Sequence, residues 1–392
     1  MVKRIYVDNF RCLVNFELKL DRVNLLLGGS GSGKTTVFDV LYRLQQFLAG
    51  NAQVLAVFPS TELTRSQTSL DTGYPMEVHV PSSGTNPPHW QTNTIQRFEL
   101  DIEISVAAYN YALVIEHDED RRRAKVKSET LTLGGRKLFD FQDGMAQLYH
   151  DDFTQGPAYP FDWTRSGVGV LQPRPDNKQL TRFRGEVQKL IVVGPQPVLM
   201  TSETREESAT LSRYMENFVS WYRFLSQEHQ GAVLAIFPEL KRVLPGFNAC
   251  NLKEAGEARV MKVLFDQPGG AGRPIPYDFK ELSDGQRMLI ALYSLLFGLK
   301  GEGVSLFLDE PDNFVALREI QPWLMALTDC AGEGIEQAVL ISHHPEIINY
   351  LAASSGRWFE RDTNAPARVS DKPKTMVEDL TMAETVARGW EK

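Results

Sequence analysis

The chain has 392 residues, 42% of them hydrophobic and 23% charged, with a formal net charge of −8. That composition fits a soluble globular protein with a real core, and the acidic balance excludes an overall basic footprint for nucleic acid, so any such binding has to be local. Three scattered cysteines (Cys12, Cys250, Cys330) show neither metal spacing nor a disulfide framework and fit a reducing cytosol. No leader-like segment precedes the first strand, and no apolar run approaches the ~18 residues of a membrane span.

Residues 3–27 read as two antiparallel strands, "KRIYVDNFRC" and "FELKLDRVNLLL". The second runs straight into "GGSGSGKTT", in which Gly28, Gly33, Lys34 and Thr35 satisfy G-x-x-x-x-G-K-[ST]. Ahead of the loop, Val23 to Leu27 is an apolar run that reads as a buried strand. Behind it, Val37, Leu41, Leu44 and Leu48 recur at helical spacing, widened by Val40 and Phe47. Strand, glycine loop and helix together form a phosphate cradle. Gly28, Gly29, Ser30, Gly31, Ser32 and Gly33 present backbone N–H groups, and the helix start adds its partial positive charge. Lys34 neutralises the β- and γ-phosphates of the nucleotide, with Thr36 alongside, and the Thr35 hydroxyl ligates Mg²⁺.

Beyond the cradle, residues 71–94 are rich in Pro, Gly, Ser and Thr and read as a long loop. Segments in 97–117 and 125–139 have strand character and form an antiparallel meander with a turn at 118–124. A second Gly/Pro stretch covers 155–178. Leu211, Tyr214, Met215, Phe218, Trp221, Tyr222 and Leu225 then make one amphipathic helix, and "ARVMKVLFD" (258–266) returns to a strand.

The next informative stretch is "ELSDGQRMLIALYSLLFGL", 281–299. Ser283 with Gln286 three residues on is a capping box opening an apolar helix, and a capped helix start bearing Gly285 is also an anion site. "VSLFLDEP" follows, an apolar strand tipped by Asp309 and Glu310. There Asp309 can hold Mg²⁺, directly or through water, and Glu310 can orient and deprotonate water. A further apolar strand, "QAVLISHH", ends in Ser342-His343.

Leu282 to Gln286 resembles the ABC-family signature Leu-Ser-Gly-Gly-Gln, departing from it at Asp284. With Walker A at 28–35, signature at 282–286, Walker B at 304–310 and a switch histidine at His343, the order resembles an ABC-type ATPase head. "VDNFRC" followed by the P-loop, and the long interval from Lys34 to Leu282, resemble the SMC, RecF and OLD-like group. In that group a lid or coiled coil interrupts the head. The resemblance covers about 1–48 and 278–360. It implies an α/β fold with a mixed central sheet, an antiparallel β-lobe and a short, mainly helical lid. The corresponding divisions are 1–194 for the N-terminal head part, 195–255 for the lid and 256–392 for the C-terminal head part. It also implies ATP and Mg²⁺ as cofactors, Glu310 and His343 as catalytic residues, and Thr35 and Asp309 as metal ligands. A cytoplasmic homodimer would sandwich each ATP between the P-loop of one subunit and Ser283, Gly285 and Gln286 of the other.

Three departures accompany the resemblance. Ser30 stands where the group commonly has Asn, the segment after Walker B matches the usual D-loop only through Asp312, and the Q-loop glutamine is open among Gln67, Gln91 and Gln96. Outside the ATPase motifs no Asp/Glu/His cluster has metal spacing, and too little chain follows His344 for a Toprim domain. A nuclease or other effector would therefore be a separate chain. Of two cationic stretches, "RRRAKVK" (121–127) lies beside acids at a hairpin turn and reads as solvated, whereas "RPDNKQLTRFRG" (174–185) leaves DNA contact open. The expected function is an ATP-driven switch acting on DNA or a partner effector, plausible in phage defence or DNA repair. Alternatives are a nucleotide-sensing scaffold with incidental hydrolysis and, disfavoured by the long interval, a transporter ATPase subunit.

Overall fold

A computed structural model describes residues 1–59, 94–118, 123–269, 272–362, 365–371 and 380–388. In chain order the first half contributes β1 (Val2–Asp8), β2 (Phe16–Lys19), β3 (Val23–Leu27) and α1 (Lys34–Leu48). It continues with β4 (Ile95–Ile104), β5 (Ala107–His117), β6 (Ala124–Leu133), β7 (Arg136–Gln142), β8 (Met145–Tyr149), β9 (Gln155–Pro160) and α2 (Lys178–Gln188). Next come β10 (Leu190–Val193), β11 (Glu203–Thr204), α3 (Phe218–Glu228), α4 (Gln230–Val243), β12 (Phe247–Ala255), β13 (Ala258–Phe265) and β14 (Ile275–Asp278). The chain closes with α5 (Asp284–Gly298), β15 (Ser305–Asp309), α6 (Leu317–Cys330), β16 (Gln337–Ile341), α7 (Pro345–Ser355), β17 (Gly356–Glu360) and β18 (Arg368–Ser370). These elements fall into two compact units: residues 1–21, 28–190 and 357–372 in the first, and 22–27, 191–356 and 373–392 in the second.

The first unit is built on an eight-stranded antiparallel sheet in the order β2-β1-β4-β5-β6-β7-β8-β9. The meander expected over 97–139 is its centre. Alternation sets the buried face: Gln96, Phe98, Leu100, Ile102 and Ile104 from β4, and Tyr109, Tyr111, Leu113 and Ile115 from β5. Against that face pack α1 and α2. Phe58 links α1 to the sheet, its ring 6.0 Å from Phe47 on α1 and 4.9 Å from Phe98 on β4, while Phe183 of α2 lies 5.9 Å from Tyr109 and 5.8 Å from Tyr111. Each such buried side chain stabilises by roughly 1.5–3 kcal/mol, which holds the helix behind the glycine loop firmly on the sheet. The Gly/Pro stretch at 155–178 opens with the edge strand β9, where Pro157 and Pro160 cost no central ladder bonds.

In the second unit β10, β15, β16 and β3 lie side by side in that order. β15 is parallel to β16 and β16 to β3, with Asp309 level with Ile341 and Ile341 level with Leu26. Continuous apolar runs mark them as strands covered on both faces. The α5 helix is buried on nearly every side from Met288 to Leu296, and α3 approaches it so closely that a Cβ on Gly298 would lie 2.6 Å from a Leu225 methyl. A smaller antiparallel sheet, β11-β13-β12 with β14 on β13, completes this unit, and β13 is the strand expected at 258–266.

Two local expectations are corrected. The second N-terminal strand is two strands, because "FELK" alternates buried and exposed residues whereas "VNLLL" is a buried run, and one strand cannot serve two sheets. The helix expected from Leu211 begins only at Phe218. Asn217 accepts from the Ser212 N–H and donates to Thr210 O and Ser208 Oγ, Met215 takes a left-handed backbone (φ 60°), and the carbonyls of Arg213, Tyr214 and Glu216 are used by the N–H groups of Gly194, Gln196 and Thr201. Those bonds replace the first helical turn. Met215, Phe218, Trp221, Tyr222 and Leu225 are nonetheless buried.

Candidate nucleotide-binding site

The glycine loop belongs to the first unit. It leaves β3 at Gly28, and α1 begins at Lys34 with Gly33 in its N-cap place. Gly33 has φ 106°, and a Cβ there would lie 2.9 Å from Cys12 Sγ and 3.2 Å from the Ala367 methyl. Only glycine meets both conditions without strain. Around Gly29 and Gly31, by contrast, an added Cβ would meet nothing, so the loop's outer rim has room for phosphate oxygens. Lys34 is buried, and its Nζ donates to Gly28 O at 2.6 Å, Gly29 O at 3.0 Å and Ser32 Oγ at 3.4 Å. The ammonium is thus curled onto the carbonyl side of its own loop. Thr35 is exposed on the first helical turn and Ser30 on the loop crest. Thr36 is half-buried, with Cys12 Sγ 3.9 Å from its hydroxyl. Arg361 steadies the crest by donating to Gly31 O at 3.1 Å.

The carboxylates and the signature helix belong to the second unit. Asp309 ends β15, with its side chain 12% exposed and its Oδ2 accepting from Arg213 Nη2 at 2.9 Å. Glu310 follows in a left-handed backbone (φ 50°), unusual for a non-glycine residue and a form of strain that gathers at functional sites. Its N–H donates to Ile341 O at 2.8 Å and its carboxylate accepts from Asn313 at 2.7 Å, so the exposed side chain is held at the strand tip. Asp312 is nearly buried and hydrogen-bonded to Ser342; burial is the largest influence on its carboxyl and raises it above the ordinary value. Ser342 also accepts from the His344 N–H at 2.9 Å, and His344 caps α7. His343 is exposed between them.

At α5 the expected capping box is formed: Ser283 Oγ accepts from the Gln286 N–H at 3.3 Å and Gln286 Oε1 from the Ser283 N–H at 3.1 Å. Asp284, the departure from the signature, pairs with Arg287, which also donates to Pro197 O at 2.6 Å. The extra negative charge at the helix start is therefore neutralised within the same turn. Gly285 is crowded, since a Cβ there would lie 2.6 Å from Phe314 O.

Of the Q-loop candidates, Gln67 and Gln91 lie outside the described residues. Gln96 is fully buried, donating to Asn9 O at 2.9 Å and bonded to His117 at 2.8 Å, a structural role inside the β-lobe. A further glutamine, Gln196, stands just beyond the end of β10; the neighbouring Gly194 comes so near Asp309 that an added Cβ would be 3.3 Å from the Asp309 Cβ.

A magnesium–nucleotide complex suits this donor set better than a self-contained metal centre. Among the described residues no three His, Cys, Asp or Glu side chains gather as ligands. Mg²⁺ is ordinarily held by one or two carboxylates together with phosphates and water. Thr35 in the first unit and Asp309 in the second each carry an oxygen of the kind Mg²⁺ takes.

No family model matches the chain, and no curated protein matches it either. Solved structures do. The SMC head domain from Thermotoga maritima covers 94% of this chain and 98% of its own at 12% identity and TM-score 0.47. An SmcHead bound to the C-winged helix domain of ScpA covers 94% and 97% at 10% identity and TM-score 0.50. An Smc head domain with an extended coiled coil, bound to the C-terminal domain of ScpA derived from Pyrococcus furiosus, covers 100% and 99% at 10% identity and TM-score 0.47. At these identities the likeness is one of fold. The chain has the α/β fold of an SMC head domain.

Proposed function

We propose that the protein is an ATP-binding and ATP-hydrolysing switch that dimerises around ATP and acts on DNA or on a separate effector chain. The observation that carries this reading is the register of three parallel strands. It lays level the strand end that feeds the glycine loop (Leu26), the strand end that bears Asp309 and Glu310, and the strand end that leads to Ser342 and His343. In this reading Gly28 to Thr36 cradle the phosphates, Thr35 and Asp309 hold Mg²⁺, Glu310 activates water and His343 faces the γ-phosphate. Gln196 takes the place of the Q-loop glutamine. Ser283, Gly285 and Gln286 serve the nucleotide of the partner subunit, because a γ-phosphate needs donors on its far side and a capped helix start supplies them.

Exposed apolar side chains near that helix start support a dimer. Val198 and Leu199 follow the Pro197 carbonyl held by Arg287, and Phe314 follows from the carbonyl packed on Gly285, with Leu317 beyond; they are 70%, 47%, 49% and 60% exposed. An apolar rim of this kind marks an interaction surface. No described helix is long and apolar enough to cross a membrane. A head of similar fold has been solved with a second protein bound, which by analogy supports a protein effector. For DNA, Lys125 and Lys127 are spent on Glu116, at 2.9 and 3.4 Å. Lys178 and Arg182 on α2 are exposed and remain the candidates.

The test is complementation. Lys34→Ala disables the cradle and Ser283→Arg the signature, so each variant alone is expected to be inactive. Mixed, they form a heterodimer with one intact composite site, and ATPase activity partly returns. Full activity of Ser283→Arg alone would reduce the signature to a helix cap and sink the sandwich.

A further inference from the structure

Residues 211–216 form a strap fastened to the chain beyond β10: the Gly194, Gln196 and Thr201 N–H groups donate to Arg213 O, Tyr214 O and Glu216 O at 2.8, 3.1 and 3.3 Å. Met215, fully buried, pins its middle. The strap delivers Arg213 to the end of β15, where its Nη2 donates to Asp309 Oδ2 at 2.9 Å, with side chains only 10% and 12% exposed. Gly194 lies beside both, since a Cβ there would be 3.3 Å from Arg213 Nη1 and from Asp309 Cβ.

We propose that Arg213 is a latch on the metal ligand: it holds Asp309 by Oδ2, so a metal ion that draws on this carboxylate competes with the guanidinium. The inference rests on the nucleotide reading above and deepens it by naming how the site is regulated. Three physical facts carry it. A guanidinium and a divalent cation draw on the negative charge of the same carboxylate. Two cations that close repel. The pair is mostly shielded from water, so its charges are weakly screened. The latch therefore neutralises Asp309 while no metal is bound and makes metal binding and strap position thermodynamically linked. Because the strap's bonds reach Gln196 and run into α3, release of Arg213 would be felt by both.

The measurement is the affinity for a fluorescent, non-hydrolysable ATP analogue with Mn²⁺ and with EDTA, the ratio giving a metal factor for each variant. Arg213→Met is expected to raise the metal factor about tenfold, the scale of one charge-assisted hydrogen bond, while affinity in EDTA stays unchanged. In an Asp309→Asn background, where the metal ligand is gone, Arg213→Met is expected to change nothing, and that non-additivity is the signature of direct competition. A metal factor unchanged or lowered in Arg213→Met overturns the latch while leaving the nucleotide reading standing. Wild-type protein that binds the analogue in neither condition overturns both. If Arg213→Met lacks a cooperative thermal transition, Arg213→Lys carries the test: it keeps the charge but loses the planar fork, and the metal factor is expected to rise by less.

Discussion

At Glu310 the backbone is left-handed while the side chain stays exposed and lightly held by Asn313. Uncommon backbone of this kind gathers at functional sites, which supports the proposed role of Glu310. Glu310→Gln keeps the size and the Asn313 contact but cannot accept a proton. Turnover is expected to fall roughly 10²–10⁴-fold with ATP binding intact, whereas Lys34→Ala is expected to weaken binding itself. Paired steady-state hydrolysis and equilibrium binding separate the two, and parental turnover in Glu310→Gln would remove it from the role of base.

Elements are held by a few polar fasteners as much as by apolar area. The α5 start depends on the reciprocal Ser283 and Gln286 bonds. Losing that cap in Ser283→Ala is expected to cost about 1 kcal/mol in a denaturant titration, since the long buried body of the helix remains. Deeper in the first unit, the fully buried Glu129 carboxylate accepts from Tyr111 Oη at 2.8 Å, Ser166 Oγ at 2.6 Å and the Gly167 N–H at 2.6 Å, tying β5, β6 and the 166–170 turn together. Glu129→Gln replaces one acceptor oxygen with a donor and is expected to destabilise by about 1–3 kcal/mol. Burial is the largest influence on this carboxyl and raises it above its ordinary 4.5. A raised folded-state pKa means that the linked stability is fully present below 4.5 and is lost as pH rises through the folded value. The variant has no such proton. Urea midpoints measured across acid to neutral pH should therefore show the gap between wild type and variant narrowing upward, and a gap constant with pH would contradict the buried-carboxyl account.

For the whole molecule, the proposed composite site would make hydrolysis depend on assembly. A chain that cannot hydrolyse should accumulate in the assembled state. Glu310→Gln with ATP and Mg²⁺ is therefore expected to sediment at twice the monomer mass, and Glu310→Gln carrying Ser283→Arg to remain at 44.2 kDa. Assembly of both to the same extent, or of neither, would separate the rim from the nucleotide and favour a reading in which ATP is only sensed.

Sequence alone determined what neighbours along the chain decide. The glycine loop with its lysine, the capping box at Ser283, and the buried strands ending in Asp309 and before His343 are all written in local spacing, because a turn, a cap or a strand tip is settled within a few residues by backbone sterics and hydrogen bonding. The antiparallel β-lobe was legible for the same reason, through period-two alternation. Tertiary structure decided the rest. Nothing in the spacing ties Arg213 to Asp309, Gly194 to the end of β15, or Glu129 to Tyr111 and Ser166. Nothing in it says that "FELK" and "VNLLL" enter different sheets, or that Asn217 and the 194–201 backbone take the bonds a first turn of α3 would have used. In each case the partner lies far along the chain, and the gain from burying a charge or a carbonyl with that partner outweighs a local propensity worth only tenths of a kcal/mol per residue.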